Sequence, residues 1–529
     1  MKKNSKKLLA LVMVLAVLVT TLAGCGGNSG AGDSTASTTG AASQPGQAGA
    51  APVEISMFVN QTWWPLKDWS GPIPEEITKE TGVKLNITVA ADEKQLSLLI
   101  ASGDLPEMIY DSDTFSRLSN SELCYDWNGL IQQYAPDFKP DDQSIAMNTA
   151  KDGKFYTILN YFATQEQWES TPKALNSNAP GIAFRKDMLE QLGNPQIKTL
   201  DDLDKVLGMA KEKFPGVVPM IMNTNWKGVY QQSSFLQSQF GVRSDGFVLD
   251  GQGKVIHSIR QPQRLDFYKL LNSYYRKGYI VPDNFTFKNE DESFAYAYNG
   301  KAFSYQKGGN IAKQLNTELE KQGKDFTFVL QTNMISDKAR FYNSSAGWSG
   351  MYITRKCQHP EEAINFVKFM FTDKGMKLGL WGVEGKDWTM NQEGYPEFKY
   401  NRADEKYINS QGLNWWGLLG DNAVVEALAA YDTNDKESTD YLTETKRLTV
   451  YTPALALLRP EADSQENAIS SKLDEMIRNE EIKIILSKSD DELQKSYDNM
   501  MSLAEKIGLS KLEAWANTRY GEVSKLFDK

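Results

Sequence analysis

Between residues 53 and 110 the chain alternates two periods. Val53, Ile55, Met57 and Val59 recur at every second position, and Pro74-Glu75-Glu76 opens a helical stretch. Val83, Leu85, Ile87 and Val89 alternate again, Leu96, Leu99 and Ile100 form a helical stripe before Gly103, and Met108-Ile109-Tyr110 is a short apolar run. A period of two marks a strand and spacings of three and four mark a helix. The order is therefore β-α-β-α-β with short connections, which packs as a parallel sheet flanked by helices. Ligands of such sheets lie beyond the carboxyl ends of the strands, and the loops there carry Trp63, Trp64, Asp111 and Asp113.

The pattern returns downstream. Gly181 to Phe184 reads as a strand, Leu200, Leu203, Val206 and Leu207 as a helix, and Val217 to Met222 as a buried strand leading into Asn223-Thr224-Asn225-Trp226. Pro360 starts a helix with Ala363, Phe366, Val367 and Met370 on one face. No internal repeat of fixed period is present.

The first residues have a different character. Lys2, Lys3, Lys6 and Lys7 precede an uncharged apolar run from Leu8 to Leu22, which is shorter than a membrane span needs. Leu22-Ala23-Gly24-Cys25 then resembles a bacterial lipobox. The expectation is a signal peptide over 1–24 and lipid on Cys25, anchoring the chain to the outer face of the cell membrane. Residues 26–52 hold one charge and no large apolar side chain, so they form a flexible linker.

Removing a 24-residue signal leaves 505 of 529 residues, enough for two or more domains, and removes four lysines, taking the net charge from −10 to −14. So acidic a chain is unsuited to nucleic acid or an anionic bilayer surface. Cys124 and Cys357 read as buried free thiols, and two histidines, His257 and His359, leave no basis for a histidine-rich metal site or a Ser-His-Asp arrangement. His359 reads as a helix cap before Pro360, and His257 as part of a strand. No cofactor motif is found, and catalytic carboxylate pairs are not excluded by motif.

Aromatic placement carries the functional signal. Flat rings beside planar polar side chains suit a ligand with an apolar face and a polar rim. Twelve tryptophans are present, with Trp63-Trp64 and Trp415-Trp416 as adjacent pairs in polar loops. Asn225 and Trp226 follow a strand, and Trp348 lies in Ala346-Gly347-Trp348-Ser349-Gly350, where glycines permit close approach. Trp127 and Trp515 read as packing residues. Asp111 and Asp113 fit ligand contact or helix capping equally.

Several segments in series resemble family 1 extracellular solute-binding proteins: Ala101-Ser102-Gly103-Asp104-Leu105-Pro106-Glu107-Met108-Ile109, Asp187 within Phe184-Arg185-Lys186-Asp187-Met188-Leu189, Gly300-Lys301-Ala302-Phe303, and His359-Pro360-Glu361-Glu362-Ala363. Gly278-Tyr279-Ile280-Val281-Pro282 and Trp381-Gly382-Val383-Glu384-Gly385 look like signatures of the large Gram-positive lipoproteins, the LplA-like group, that serve carbohydrate importers. The resemblance spans nearly all of 53–510. It implies a two-lobed, type II periplasmic-binding-protein-like α/β fold with parallel-type sheets, hinged around a carbohydrate. Lobe one is expected at 53–165 with 335–395 and lobe two at 166–334 with 396–529. The implied partners are a carbohydrate ligand and the permease subunits of an ABC importer, with the chain a monomer, not an enzyme and without a cofactor. Phe184 stands where maltose-type relatives often carry tyrosine, so stacking is retained and a phenol hydrogen bond is not. Trp381 and Glu384 join the candidate ligand contacts, although Glu384 also fits a turn-bracing role, and Arg185 fits a pair with a neighbouring acid. Two alternatives share these features: a surface glycoside hydrolase, and a receptor for a non-sugar solute such as a peptide.

Overall fold

The computed structural model describes residues 51–170, 179–223, 234–343, 346–432, 435–461 and 463–527. Eight strands build two sheets: β1 (Val53–Val59), β2 (Val83–Val89), β3 (Met108–Asp111), β4 (Pro180–Arg185), β5 (Val218–Met222), β6 (Ala302–Gly308), β7 (Phe328–Leu330) and β8 (Gly350–Ile353). The first sheet runs β8-β3-β1-β2, with β1 parallel to both β2 and β3 and β8 antiparallel to β3. Helices Pro72–Thr81 and Gln95–Ser102 connect its parallel strands, each closed by a left-handed glycine, Gly82 and Gly103. The alternation on β1 is used as expected: Ile55, Met57 and Val59 enter one core while Phe58 enters a smaller one on the opposite face.

The second sheet runs β5-β6-β4-β7 and is mixed. Only β5 and β6 are parallel; β4 is antiparallel to both neighbours. The expectation of parallel sheets therefore holds for three strands of the first sheet and one pair of the second. Strands as distant in sequence as β4 and β6 are not bound by a short crossover, so their relative direction is free.

Each sheet has its own core. The first takes residues from Ile55 to Ile158 and from Met351 to Leu419. The second takes residues from Ala179 to Phe341 and again from Tyr441 to Met500. The chain thus passes between the two bodies three times, and Ile408, Leu413, Trp416, Leu418 and Leu419 pack into the first core. A ribbon of Phe341–Asn343 paired with Thr449–Tyr451 accompanies the crossings. Three long helices, Gln465–Ile485, Asp490–Ile507 and Leu509–Val523, close the chain against the second body. There Tyr268 donates to Glu481, beside Arg264, and burial lifts the Glu481 carboxyl to about 7.

Individual expectations resolve in the same terms. Pro360–Met370 is a helix with His359 at its N-cap, although the helix Pro72–Thr81 begins two residues ahead of Pro74. His257 ends a short strand, Cys124 and Cys357 are buried free thiols, and Arg185 pairs with Asp187 at 2.7 Å. Trp127 is fully buried and Trp515 packs against the closing helices. Among the described residues, no helix is long and apolar enough to cross a membrane, and no cluster of three or more His, Cys, Asp or Glu could hold a metal ion.

Candidate functional site

The carboxyl ends of β1 and β3 are stitched together first. Asn60 Nδ2 donates to Asp111 Oδ1 at 2.6 Å, and Gln61 Nε2 donates to Ser112 Oγ at 2.7 Å. Asp111 Oδ2 accepts from the backbone N–H groups of Asp113 and Thr114 and from the Thr114 hydroxyl. Asp111 is buried, and it caps and braces the turn. Of the two roles open to it by sequence, the structure shows the capping one. Asp113 is exposed in the same turn.

Above that brace stands a wall of rings. Trp63, 48% exposed, stacks on Trp348 with centroids 5.8 Å apart and lies 6.0 Å from Trp415. Tyr161 meets Trp348 edge-on at 6.1 Å. Trp348 is positioned by close backbone contact. Its N–H donates to the Asn160 carbonyl, and Asn160 N–H donates to the Ser349 carbonyl, both at 2.9 Å. A Cβ on Gly347 would come within 2.3 Å of Leu159, and one on Gly350 within 2.2 Å of Thr157 Oγ1, so these two positions exclude other residues. Tyr161 itself has φ 63° and Asn414, next to Trp415, has φ 68°. A left-handed tyrosine is strained by about 1–2 kcal/mol, a feature that concentrates at functional sites.

Each tryptophan pair has one fully buried member, while Trp63 is exposed and Trp415 half-buried. Trp64 and Trp416, which the sequence fits to ligand contact or to core packing, are both fully buried. Trp64 packs against Tyr110, Trp415 and Trp416, and Trp416 meets Trp69 edge-on at 4.5 Å. They form the layer that supports Trp63 and Trp415. Trp381 and Phe184 are buried as well. Trp381 is enclosed in a separate cluster with Trp388, 4.9 Å away, and Phe184 packs on Phe303 inside the second core. Glu384 is exposed in the turn that bridges to Trp388. Asn225 and Trp226 lie outside the described residues.

Polar groups adjoin the wall that periodicity could not reveal. Glu426 bonds the Tyr161 hydroxyl, and burial raises both the Glu426 carboxyl and the Tyr161 phenol. Burial lifts the Asp421 carboxyl to about 7, against backbone N–H donors at Ala423 and Phe162. In the second body, at the carboxyl ends of β5 and β6, Asn223 Nδ2 donates to Glu290 Oε1 at 3.0 Å and Lys307 pairs with Glu290 Oε2 at 3.2 Å. Arg402, Asn414 and Glu426 also line a cavity of about 230 Å³ with Asn310, Lys313 and Gln314 of the second body.

Two α/β bodies linked by repeated crossings, with a ring-lined strand end on one and polar groups on the other, define a two-lobed solute-binding fold. The chain belongs to the bacterial extracellular solute-binding protein family, whose sequence profile matches residues 63–377. It is 22% identical over 373 residues to the melibiose/raffinose/stachyose-binding protein MelE of Bacillus subtilis, covering 66% of this chain and 79% of that one. It is 28% identical over 229 residues to the fructooligosaccharide ABC transporter substrate-binding protein FusA of Streptococcus pneumoniae, covering 40% of this chain and 42% of that one. The structure of FusA with kestose superposes with a TM-score of 0.68 at 18% identity, covering 89% of this chain and all of that one (100%). The alginate-binding protein AlgQ2 superposes with a TM-score of 0.66 at 19% identity, covering 89% of this chain and 98% of that one. The fold is the two-lobed, type II periplasmic-binding-protein-like fold.

Proposed function

We propose that the chain is the carbohydrate receptor of an ABC importer, held outside the cell membrane by lipid on Cys25, and that it binds its ligand without chemical change. The observation that carries this reading is the wall of Trp63, Trp348 and Trp415, presented at the strand ends of one body and backed by a second layer of tryptophan. A pyranose or furanose face laid on such rings buries apolar area, at about 25 cal/mol per Å². Its hydroxyl rim then meets the planar polar groups of Asn223 and Glu290 and the Lys307 ammonium. The carbohydrate ligands named for MelE and FusA support the same class. The lobes are taken as the two cores, with closure about the three crossings and the Phe341–Asn343 ribbon.

A thermal-shift screen of the full chain against a glycan panel tests the reading. A ligand at 100 times its Kd should add about 2.7 kcal/mol of stability, and the glycan should be recovered intact. Release of cleaved sugar would favour a hydrolase, and stabilisation by peptides alone would favour a peptide receptor. For the anchor, Cys25→Ser should leave the protein poorly processed or shed; full membrane retention of that variant would overturn the lipid assignment.

A further inference from the structure

The closing helices are rooted in the second body. Asn272, on the helix Arg264–Arg276 whose Phe267 and Leu271 lie in the second core, donates to the carbonyls of Ile485 and Ser487 at 2.9 and 2.6 Å. Asn517 bonds both backbone groups of Val255, at 2.8 and 3.0 Å, and Glu513 Oε1 accepts from the His257 N–H at 2.8 Å. Leu455, Leu458, Ala516 and Val523 share a small apolar core with Val255, and Phe527 packs onto it. The end of the chain thus belongs with the second body.

Two side chains of this end nevertheless hold the first body. Arg459 Nη2 donates to the Gly347 carbonyl at 2.9 Å, and the Phe527 ring meets Phe162 edge-on with centroids 6.4 Å apart. Beside Phe527, the Leu526 carbonyl accepts from Gln143 Nε2 at 3.3 Å. The points they hold adjoin the ring wall, since Gly347 precedes Trp348 and Phe162 follows Tyr161. Both loops have left-handed backbone there, with φ 99° at Gly347 and 63° at Tyr161. A strained residue such as Tyr161 keeps that conformation only where its surroundings over-determine it. The backbone bonds of Asn160 with Trp348 and Ser349 join the two loops, so a shift at either point reaches both rings.

We propose that Arg459 and Phe527 are positioning residues of the ring wall. They tie Gly347 and Phe162 to the helices that close the second body, and so set Trp348 and Tyr161 in place for the ligand. The geometry of a wall in the first body is thereby made to depend on a part of the chain more than a hundred residues away in sequence and rooted in the other body.

Hydrogen exchange read by mass spectrometry tests this on the full unliganded chain, with Arg459→Ala, Phe527→Ala and the double variant. Peptides holding the amides of Asn160–Phe162 and Trp348–Ser349 should exchange roughly fivefold faster in each single variant, the scale of one lost hydrogen bond. Peptides from β1 should exchange as in the parent, and melting should move by less than about 4 °C. Arg459→Lys keeps a cationic donor for the single Gly347 carbonyl and should return exchange to within about twofold of the parent. The second arm rests on the receptor reading and is calorimetric titration with raffinose, stachyose and kestose. The tightest of them should bind each Ala variant roughly fivefold more weakly. Parent-like exchange at both wall peptides in the double variant overturns the assignment. So does acceleration spread evenly over β1 and the wall, the mark of a merely weakened fold, and so does a loosened wall that binds sugar as tightly as the parent. The exchange arm decides the tie even where none of the three sugars binds, an outcome that counts against the receptor reading alone.

Discussion

The two four-stranded sheets carry opposite chemistry at their strand ends. Beyond β1 and β3 the first body sets rings, with Trp63, Trp348, Trp415 and Tyr161 in mutual contact. Beyond β5 and β6 the second body sets Asn223, Glu290 and Lys307, joined to one another and to the Tyr305 hydroxyl that donates to Asn223 Oδ1 at 3.3 Å. A sugar has both an apolar face and a polar rim, so in the proposed site one wall of each kind would match it where two like walls would not. The rings also need a rigid support, and the first body supplies it by burying one member of each tryptophan pair.

That division of labour gives the largest expected effect. Trp416→Ala or Trp64→Ala removes a fully buried indole and should cost about 3–5 kcal/mol of folding stability in urea unfolding. Equal losses for these and for exposed Trp63 would erase the distinction between support and platform.

A smaller effect comes from the carboxyl buried on the ring side. Asp421 has its folded pKa raised from 3.8 to about 7, chiefly by burial. The folded state therefore holds a proton that the unfolded state releases above about pH 4, and the stability contributed by the neutral form is lost as pH rises from about 4 through about 7. Across that window this group should lower stability by up to about 1.4 kcal/mol per pH unit, and Asp421→Asn should flatten that slope in calorimetric melts. A slope identical in the variant would remove Asp421 as its origin.

The smallest effect belongs to the polar wall. The Glu290–Lys307 pair is partly exposed, 42% and 27%, so Lys307→Met should change folding stability by less than about 1 kcal/mol. Glycan affinity should fall by about 1 kcal/mol, the net scale of one hydrogen bond. Unchanged affinity would leave the second body without a part in recognition.

Much of the first body was legible because its signals are local. The three parallel strands, their two helices and the helix Pro360–Met370 follow from periodicity and from proline and glycine placement. β8 was not, since Gly350–Ile353 has no alternation to read and pairs with β3 across a long stretch of chain. Within the site, sequence identified the tryptophans but not their layers. Trp63 and Trp64 have the same neighbours in sequence, and only packing against Tyr110 and Trp416 decides which is enclosed. Tyr161, Arg402 and Glu426 carried no motif at all, because their roles come from contacts between distant segments.

Trp63→Ala tests the central claim most directly, through the melting of the unliganded chain and its calorimetric affinity for the glycan found in the screen. The wall assignment predicts near-normal melting, because the ring is half exposed at 48%. It also predicts binding weakened by on the order of 2 kcal/mol, the range of a binding hot spot. A variant that melts much earlier while its folded fraction binds with full affinity would place Trp63 with the core and contradict the account.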